Sequence, residues 1–247
     1  MRTANPALNS KTFTGVQAIS DDARAMTIQG TVNRTFLLLA ILFIAAAWSW
    51  HFLFNFIRPE SLSFFLIGTA VVGLIVAIVT VFKKTYAPVT APIYALVEGL
   101  FLGTLSSFFE RMFPGIVVQA IALTLGVAFC LLIAYKSGWI KATENFKLGV
   151  VSATGAVFMV YMVDIVLRLF GVNVPFIHES GIIGIIFSAV VVVIAALNLV
   201  LDFDFIEKGA EHGAPKYMEW YAAFGLLVTL IWLYLEILRL LSKLRSR

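Results

Sequence analysis

The sequence predicts an all-α, polytopic membrane protein, a bundle of seven transmembrane helices. Apolar residues make up 61% of its 247 residues and charged residues 13%, against about 45–50% and 25% in soluble domains. The apolar residues also fall into runs of about 20, the length that crosses a hydrocarbon core of about 30 Å. No polar stretch between the runs is long enough for a second domain, so we predict a single bundle.

Short segments with charged residues, glycine or proline separate the apolar runs. Residues 1–34 lack an apolar block and are predicted to form a polar tail, which leaves residues 35–247 for the bundle. No secretory signal peptide is expected, because the basic start is not followed by an apolar stretch and a small-residue cleavage site. The predicted helices cover residues 35–57, 62–82, 88–109, 115–135, 146–170, 180–206 and 219–241.

Lys and Arg are distributed unevenly between the two sides that alternate loops would occupy. The tail and the second, fourth and sixth loops contain eleven, and the other three loops contain three. Because cytoplasmic segments are enriched in Lys and Arg, this bias predicts a cytoplasmic N-terminus. The four basic residues after residue 238 disagree, since seven full crossings would place them outside. The last helix therefore either crosses against the bias, which we favour, or is re-entrant.

Cysteine content and net charge exclude several kinds of site. Cys130 is the only cysteine and lies in an apolar run, so neither an intramolecular disulfide nor a thiolate metal site is expected. The net charge of +4 comes from basic residues between and beyond the apolar runs. These residues indicate topology rather than nucleic-acid binding, and the expected surroundings are the lipid bilayer.

Two glycines on the third predicted helix suggest a close helix contact. Gly99 and Gly103 form a GxxxG pair, which lets a neighbouring backbone approach closely. A polytopic chain supplies its own neighbours, so we predict packing within the chain rather than dimerisation.

Ionisable groups inside the predicted spans are the main functional candidates, because a charge at the bilayer centre costs about 2.5–3.5 kcal/mol. With the N-terminus inside, these groups lie at several depths and resemble a ladder of carboxylates. A threonine at mid-membrane depth belongs with them. The candidates for an ion pathway or for pH sensing are Asp202, Glu98, Thr229, Asp164, Glu236 and Asp204.

Three of these acids also have a structural interpretation. Asp164 lies four residues before Arg168, the spacing of an intrahelical ion pair. Glu98 could be a protonated acid that is hydrogen-bonded to a neighbouring carbonyl. Asp204 could reach headgroup water together with the charged residues that follow it.

Asp202 is the strongest candidate. It follows Asn198 by four residues, so an amide and a carboxylate share one helix face where a buried polar contact would need both. Asp204 is two positions further on, about 200° around the helix, so the two aspartates cannot form a dyad from this helix alone. A partner for Asp202 has to come from another helix.

Enzyme motifs are absent from the sequence. It contains no HExxH, GxSxG, P-loop or GxGxxG pattern. Its three histidines, His51, His178 and His212, have no spacing that suits a metal site. We therefore expect neither an enzymatic activity nor a cofactor.

Two segments resemble the Bax inhibitor-1 family of transmembrane proteins. One reads LDFDFIEKGAE over residues 201–211 and leads, after a polar loop, to TLIWLYLEILRLL over residues 229–241. The other reads EGLFLG over residues 98–103. The resemblance extends to helix number and spacing along the bundle. It implies a divergent, bacterial-type member of the inner (plasma) membrane, with the last helix at the bundle centre.

For function, the resemblance implies a pH-sensitive calcium leak or cation channel. Its gate is a pair of aspartates on the sixth and seventh helices that share a proton, assisted by an arginine on the second. Two close carboxylates cannot both ionise cheaply, so such a pair can act as a proton-controlled latch. Asp202 matches the first aspartate. Thr229 stands at the second position, and the predicted second helix has no arginine.

Two functions are open from the sequence. The first is a passive, proton-modulated pathway for calcium or another cation, with Asp202 as the principal acid and a candidate calcium contact, because calcium prefers carboxylate oxygens. The second is a non-conducting regulatory or scaffold protein that binds other membrane proteins. An intramembrane enzyme is the least favoured, since no pair of nucleophile and base is evident.

Overall fold

A computed structural model describes residues 25–56, 59–171 and 181–246. Within them the chain forms seven long α-helices and no strand, and a short 3₁₀ turn, Lys84–Tyr86, precedes the third helix. All seven are long and apolar enough to cross a membrane, so the predicted all-helical, multi-pass fold is confirmed. The helices are α1 (Ile28–Phe56), α2 (Pro59–Phe82), α3 (Ala87–Met112), α4 (Ile116–Lys136), α5 (Glu144–Leu169), α6 (Ile182–Glu211) and α7 (Met218–Arg245).

Burial differs strongly between the helices. In the most apolar window of α2 only 11% of the residues are buried, whereas in that of α7 the share is 61%. The side chains of α2 therefore point mostly outward, where lipid tails would contact them, and α7 is enclosed by protein. The enclosure of α7 agrees with the expected central position of the last helix.

The described residues divide into two compact units. The amino-terminal unit contains residues 25–114 and 205–228, and the carboxy-terminal unit contains residues 115–204 and 229–246. Helices α6 and α7 each contribute one part to either unit. The contacts below are given within one unit at a time.

Helix α1 begins at Ile28, so residues 28–34 of the predicted tail are helical. Thr27 caps the helix, because its hydroxyl accepts a hydrogen bond of 2.9 Å from the Gly30 backbone N–H. The polar residues of this first turn precede the apolar run, which is why hydropathy placed the start too late. Residues 1–24 of the predicted tail and residues 172–180, with His178, lie outside the described residues.

A buried glutamate at the start of α7 holds the start of α1 in the amino-terminal unit. Glu219 Oε1 accepts hydrogen bonds from the backbone N–H and the hydroxyl of Thr27, at 3.1 and 2.9 Å. The same oxygen lies 2.9 Å from Lys216 Nζ. The Met26 N–H donates to the Ala214 carbonyl at 2.6 Å. The segment before α1 is thereby attached to the loop between α6 and α7.

Helix α6 continues to Glu211, five residues beyond its predicted end. Gly213 adopts a left-handed φ of 62° and donates to the Ala210 carbonyl at 3.1 Å, and Ala214 donates to the Gly209 carbonyl at 3.0 Å. These two bonds form a Schellman motif that ends the helix. The last turn is charged, so the apolar run stopped before the helix did.

Helix α7 crosses fully, antiparallel to α6, in the carboxy-terminal unit. The hydroxyl of Thr229 interacts with Asp202. Fourteen residues later, Lys243 Nζ donates to the Gly184 carbonyl and the Ser188 hydroxyl at 3.0 and 2.8 Å. The end of α7 therefore lies beside the start of α6, and the re-entrant alternative is wrong.

The basic residues at the end of α7 are bound by protein acceptors. Arg239 donates to Glu236 at 3.1 Å, and Arg245 donates to Gln119 at 2.9 Å. Lys243 is buried, whereas Arg239 is partly exposed and Arg245 is exposed. Their contacts explain how a basic C-terminal end can depart from the charge bias, and the cytoplasmic N-terminus stays a prediction.

The GxxxG pair packs against α1 in the amino-terminal unit. A Cβ at Gly99 would collide with the Leu42 carbonyl, and a Cβ at Gly103 would collide with the Ala46 carbonyl and the Ser49 hydroxyl. The predicted helix packing within the chain is confirmed.

We predict that Gly103→Ala lowers the free energy of unfolding by about 1–3 kcal/mol, because α1 must move away from the added methyl group. Gly126→Ala is the matched control, since a Cβ at Gly126 meets nothing within 4 Å. This control should leave stability unchanged or raise it by about 0.5–1 kcal/mol. Denaturant unfolding in detergent micelles measures both, and equal stability of the two variants would contradict the packing.

Candidate functional site

Asp202 is buried in α6 without a neutralising partner. Its exposed fraction is 1%, and neither carboxyl oxygen has a hydrogen-bond partner among the described residues. The Thr229 hydroxyl, on α7, interacts with the carboxyl group as a weak donor, outside full hydrogen-bond geometry. Burying an unpaired carboxylate costs far more than burying a paired one. The described residues therefore do not compensate a negative charge on Asp202.

Asn198 does not supply the missing partner. Its side-chain amide donates to the Thr154 hydroxyl and to the Ile194 carbonyl, both at 2.8 Å. Asn198 and Asp202 share one helix face, as predicted, but the amide is bonded to α5 and to its own helix. The polar contact that would use both side chains is not formed.

Asp204 is bonded within the bundle. Its Oδ2 lies 2.8 Å from Lys147 Nζ on α5, and the same ammonium lies 3.3 Å from Glu144 Oε1. The Lys147 side chain is 2% exposed and that of Asp204 is 14% exposed. Asp204 is therefore paired with a buried lysine, and its contact with headgroup water stays a prediction.

Glu236 belongs to a paired cluster that joins α5 to α7. The Tyr161 hydroxyl lies at hydrogen-bond distance from both Glu236 oxygens, 3.0 and 3.1 Å. The guanidinium of Arg239 lies 3.1 Å from Glu236 Oε1 and also donates to the Tyr161 hydroxyl at 2.5 Å. The negative charge of Glu236 is therefore neutralised at close range.

The other two predicted acids occupy separate places. Asp164 pairs with Arg168 on its own helix at 3.2 Å, as the spacing predicted. Glu98 lies in the amino-terminal unit, where its carboxyl group interacts with the Tyr94 side chain. Of the predicted acids, four lie in the carboxy-terminal unit and Glu98 lies in the amino-terminal unit.

Polar contacts in the carboxy-terminal unit follow heptad spacing on two helices. Side chains seven residues apart lie on one face of a helix, and both α5 and α7 have three polar residues at this spacing. Four of these six residues have partners on α6, over sixteen residues or about 24 Å of its length, and the other two, Tyr161 and Glu236, contact each other. We call this set the polar seam: Lys147, Thr154 and Tyr161 of α5, Thr229, Glu236 and Lys243 of α7, and Ser188, Asn198, Asp202 and Asp204 of α6.

Sequence reasoning missed the basic and aromatic members of the polar seam. Lys147, Tyr161 and Lys243 were not predicted as site residues, because only acids within apolar runs were taken as buried charges. The seven-residue spacing of polar side chains on α5 and α7 was the available signal. It predicts a shared polar face, although not which residue binds which.

Within the described ranges, no group of three or more His, Cys, Asp and Glu side chains could hold a metal ion. Calcium takes 6–8 oxygen ligands, so Asp202 alone can contact a passing cation but cannot retain one.

Comparison with models of known protein families identifies the family of this chain. A family model described as Bax inhibitor 1 like matches residues 5–246. The chain belongs to the Bax inhibitor 1 like family. This membership confirms the resemblance seen in the segments around Asp202, Glu98 and Thr229. Searches of curated proteins and of solved structures gave no match.

This Bax inhibitor 1 like protein departs from the aspartate pair that the resemblance implies. The α7 residue that interacts with Asp202 is Thr229, and residues 59–82, which form α2, include no arginine. The buried cations of the carboxy-terminal unit come instead from α5 and α7, as Lys147 and Lys243. One carboxyl group, rather than two, therefore stands at the Asp202 level of the polar seam.

We predict that Lys147→Met strongly lowers the free energy of unfolding. The loss should be somewhat smaller than the about 3–5 kcal/mol that breaking a fully buried ion pair costs, because Asp204 is partly exposed. Adding Asp204→Asn should recover part of the loss, with a coupling free energy of about 1–3 kcal/mol. Unfolding of both single variants and the double variant in micelles measures this. Exposed Lys141→Met is the control, expected within about 0.5 kcal/mol of the wild type. If the losses of the two single variants simply add in the double variant, the contact between Lys147 and Asp204 is not stabilising.

Proposed function

We propose that this membrane protein is a passive, proton-modulated cation pathway in which Asp202 is the principal acidic group. The supporting observation is the contrast between Asp202 and its neighbours. Asp204, Glu236 and Asp164 lie 2.8, 3.1 and 3.2 Å from a basic side chain. Neither oxygen of Asp202 has a hydrogen-bond partner in the described part of the chain. Among the predicted acids of the carboxy-terminal unit, Asp202 is thus the one proposed to attract a cation from solution.

Competition between protons and cations for one carboxyl group gives the proposed pH response. The ionised form attracts a cation, and the protonated form does not. Calcium is the cation we favour, because its preferred ligands are carboxylate and other oxygens and because the family resemblance implies it. Acidification should therefore lower the cation flux.

Thr229 makes this response differ from that of a carboxylate pair. Its hydroxyl can donate to Asp202 or offer an oxygen to a cation, but it carries no charge and cannot share a proton with a second acid. Coupled carboxylates titrate in two separated steps. We propose a single protonation step here, with a correspondingly simple pH profile.

The proposal includes the membrane in which the protein lies and its orientation there. We place the N-terminus in the cytoplasm and the protein in the plasma (inner) membrane, on the Lys and Arg bias and on the bacterial-type family resemblance. Asp204 and Lys147 then lie toward the cytoplasmic face, and Glu236 and Lys243 toward the opposite face. The proposed activity is transport, with no covalent chemistry.

Calcium flux into proteoliposomes tests this proposal. We predict that Asp202→Asn lowers the flux about tenfold, equivalent to raising the barrier by about 1.4 kcal/mol, and removes its pH dependence. Glu207→Gln is the matched control, because Glu207 is an exposed carboxylate on the same helix. It should leave both the flux and its pH profile unchanged.

Two results would overturn the cation pathway. The first is equal flux from the wild type and Asp202→Asn. The second is no flux above empty vesicles from correctly folded protein, which would favour the scaffold function. That function predicts copurifying membrane proteins whose binding survives neutralisation of Asp202.

A further inference from the structure

Glu98 occupies a notch between two helices of the amino-terminal unit. It lies near the middle of α3, eleven residues from the helix start and fourteen from its end. Its carboxyl group lies over Gly73 of α2, where a Cβ would come within 2.7 Å of Glu98 Oε1. The side chain of Tyr94, one turn earlier on α3, interacts with Glu98. The site therefore consists of the Glu98 carboxyl group, the Tyr94 side chain and the backbone of Gly73, at mid-membrane depth.

The helices around Glu98 bring no cation to it. Residues 63–82 of α2 contain no ionisable side chain. On α1 the nearest ionisable residues are Arg34 and His51, about 12 Å or more along the helix from Leu42, which contacts the neighbouring Gly99. Glu98 forms no ion pair with any residue that the structure describes.

The start of α7 brings no cation to this notch either. Tyr94 contacts Phe224 there, with the ring centroids 4.9 Å apart. The ionisable groups of that segment are Glu219 and Tyr221, and Glu219 is already bonded to Thr27 and Lys216.

We propose that Glu98 is a proton-binding site of the amino-terminal unit, separate from Asp202 and independent of ion conduction. An unpaired charge at this depth is unfavourable, whereas a neutral acid beside Tyr94 avoids that cost. The carboxyl group is half-buried, so its proton can exchange from the open side of the notch. Loss of the proton drives the carboxylate away from Gly73 and loosens the contact between α2 and α3.

Labelling with a lipid-soluble carbodiimide reports directly whether the carboxyl group of Glu98 is protonated. In an apolar site it reacts with the protonated acid: the carboxyl proton moves to a carbodiimide nitrogen while the carboxyl oxygen adds to the central carbon. The full-length protein in nanodiscs is treated with dicyclohexylcarbodiimide at neutral and alkaline pH, and labelled peptides are identified by mass spectrometry. We expect Glu98 to be labelled at neutral pH, less at alkaline pH, and not at all in Glu98→Gln.

Two glycine variants on α2 test the notch. Gly73→Ala displaces the carboxyl group toward its open side and should raise the labelling rate of Glu98 several-fold. Gly68→Ala is the same substitution on the same helix where nothing lies within 4 Å of the added Cβ, so labelling should match the wild type. Both variants retain Glu98 itself, so the result does not depend on whether Glu98→Gln folds.

Three results would overturn the proposal. They are an unlabelled Glu98 in the wild type at neutral pH, equal labelling in Gly73→Ala and Gly68→Ala, and suppression of labelling by sodium or calcium at constant pH. The third would assign the site to a metal cation. None of these readouts measures flux, so failure here is distinct from failure of the proposed cation pathway.

Discussion

A carboxylate enclosed by apolar side chains must be neutralised by a protein cation, a bound cation or a proton, because leaving it unpaired costs several kcal/mol. In the carboxy-terminal unit this requirement determines the packing of α5, α6 and α7. Lys147 on α5 binds Asp204 on α6, and Tyr161 on α5 binds Glu236 on α7. Each of these contacts joins two helices, whereas the oxygens of Asp202 have no hydrogen-bond partner among the described residues, and we propose that a proton or cation from solution neutralises it.

The amino-terminal unit meets the same requirement by other means. Glu219 is neutralised by Lys216 and hydrogen-bonded by Thr27, so its burial fixes the segment before α1 rather than a pathway. Glu98 lies against Gly73 and beside Tyr94, and it forms no ion pair among the described residues. A proton is the neutralising species that we propose for it. Buried acids in one chain thus differ: some join helices through ion pairs and hydrogen bonds, and for two, Asp202 and Glu98, we propose proton binding.

Local patterns were sufficient to predict much of the fold. Seven apolar runs gave seven helices, the GxxxG pair gave the close contact with α1, and the four-residue spacing gave the Asp164–Arg168 pair. The start of α1 and the end of α6 were displaced, because caps and charged turns extend helices beyond their apolar parts. The partners of Asp204 and Glu236 were out of reach, since they depend on contacts between helices that no single segment encodes.

The protonation state of Asp202 tests the central claim most directly. Infrared difference spectra of the protein in lipid, recorded between acidic and alkaline buffer, detect the carboxylic C=O stretch of a buried acid. We predict a band in the wild type that Asp202→Asn lacks and that calcium weakens at constant pH, because the cation and the proton compete for one group. Spectra that are identical in the two proteins, or a band that calcium leaves unchanged, would contradict the role assigned to Asp202.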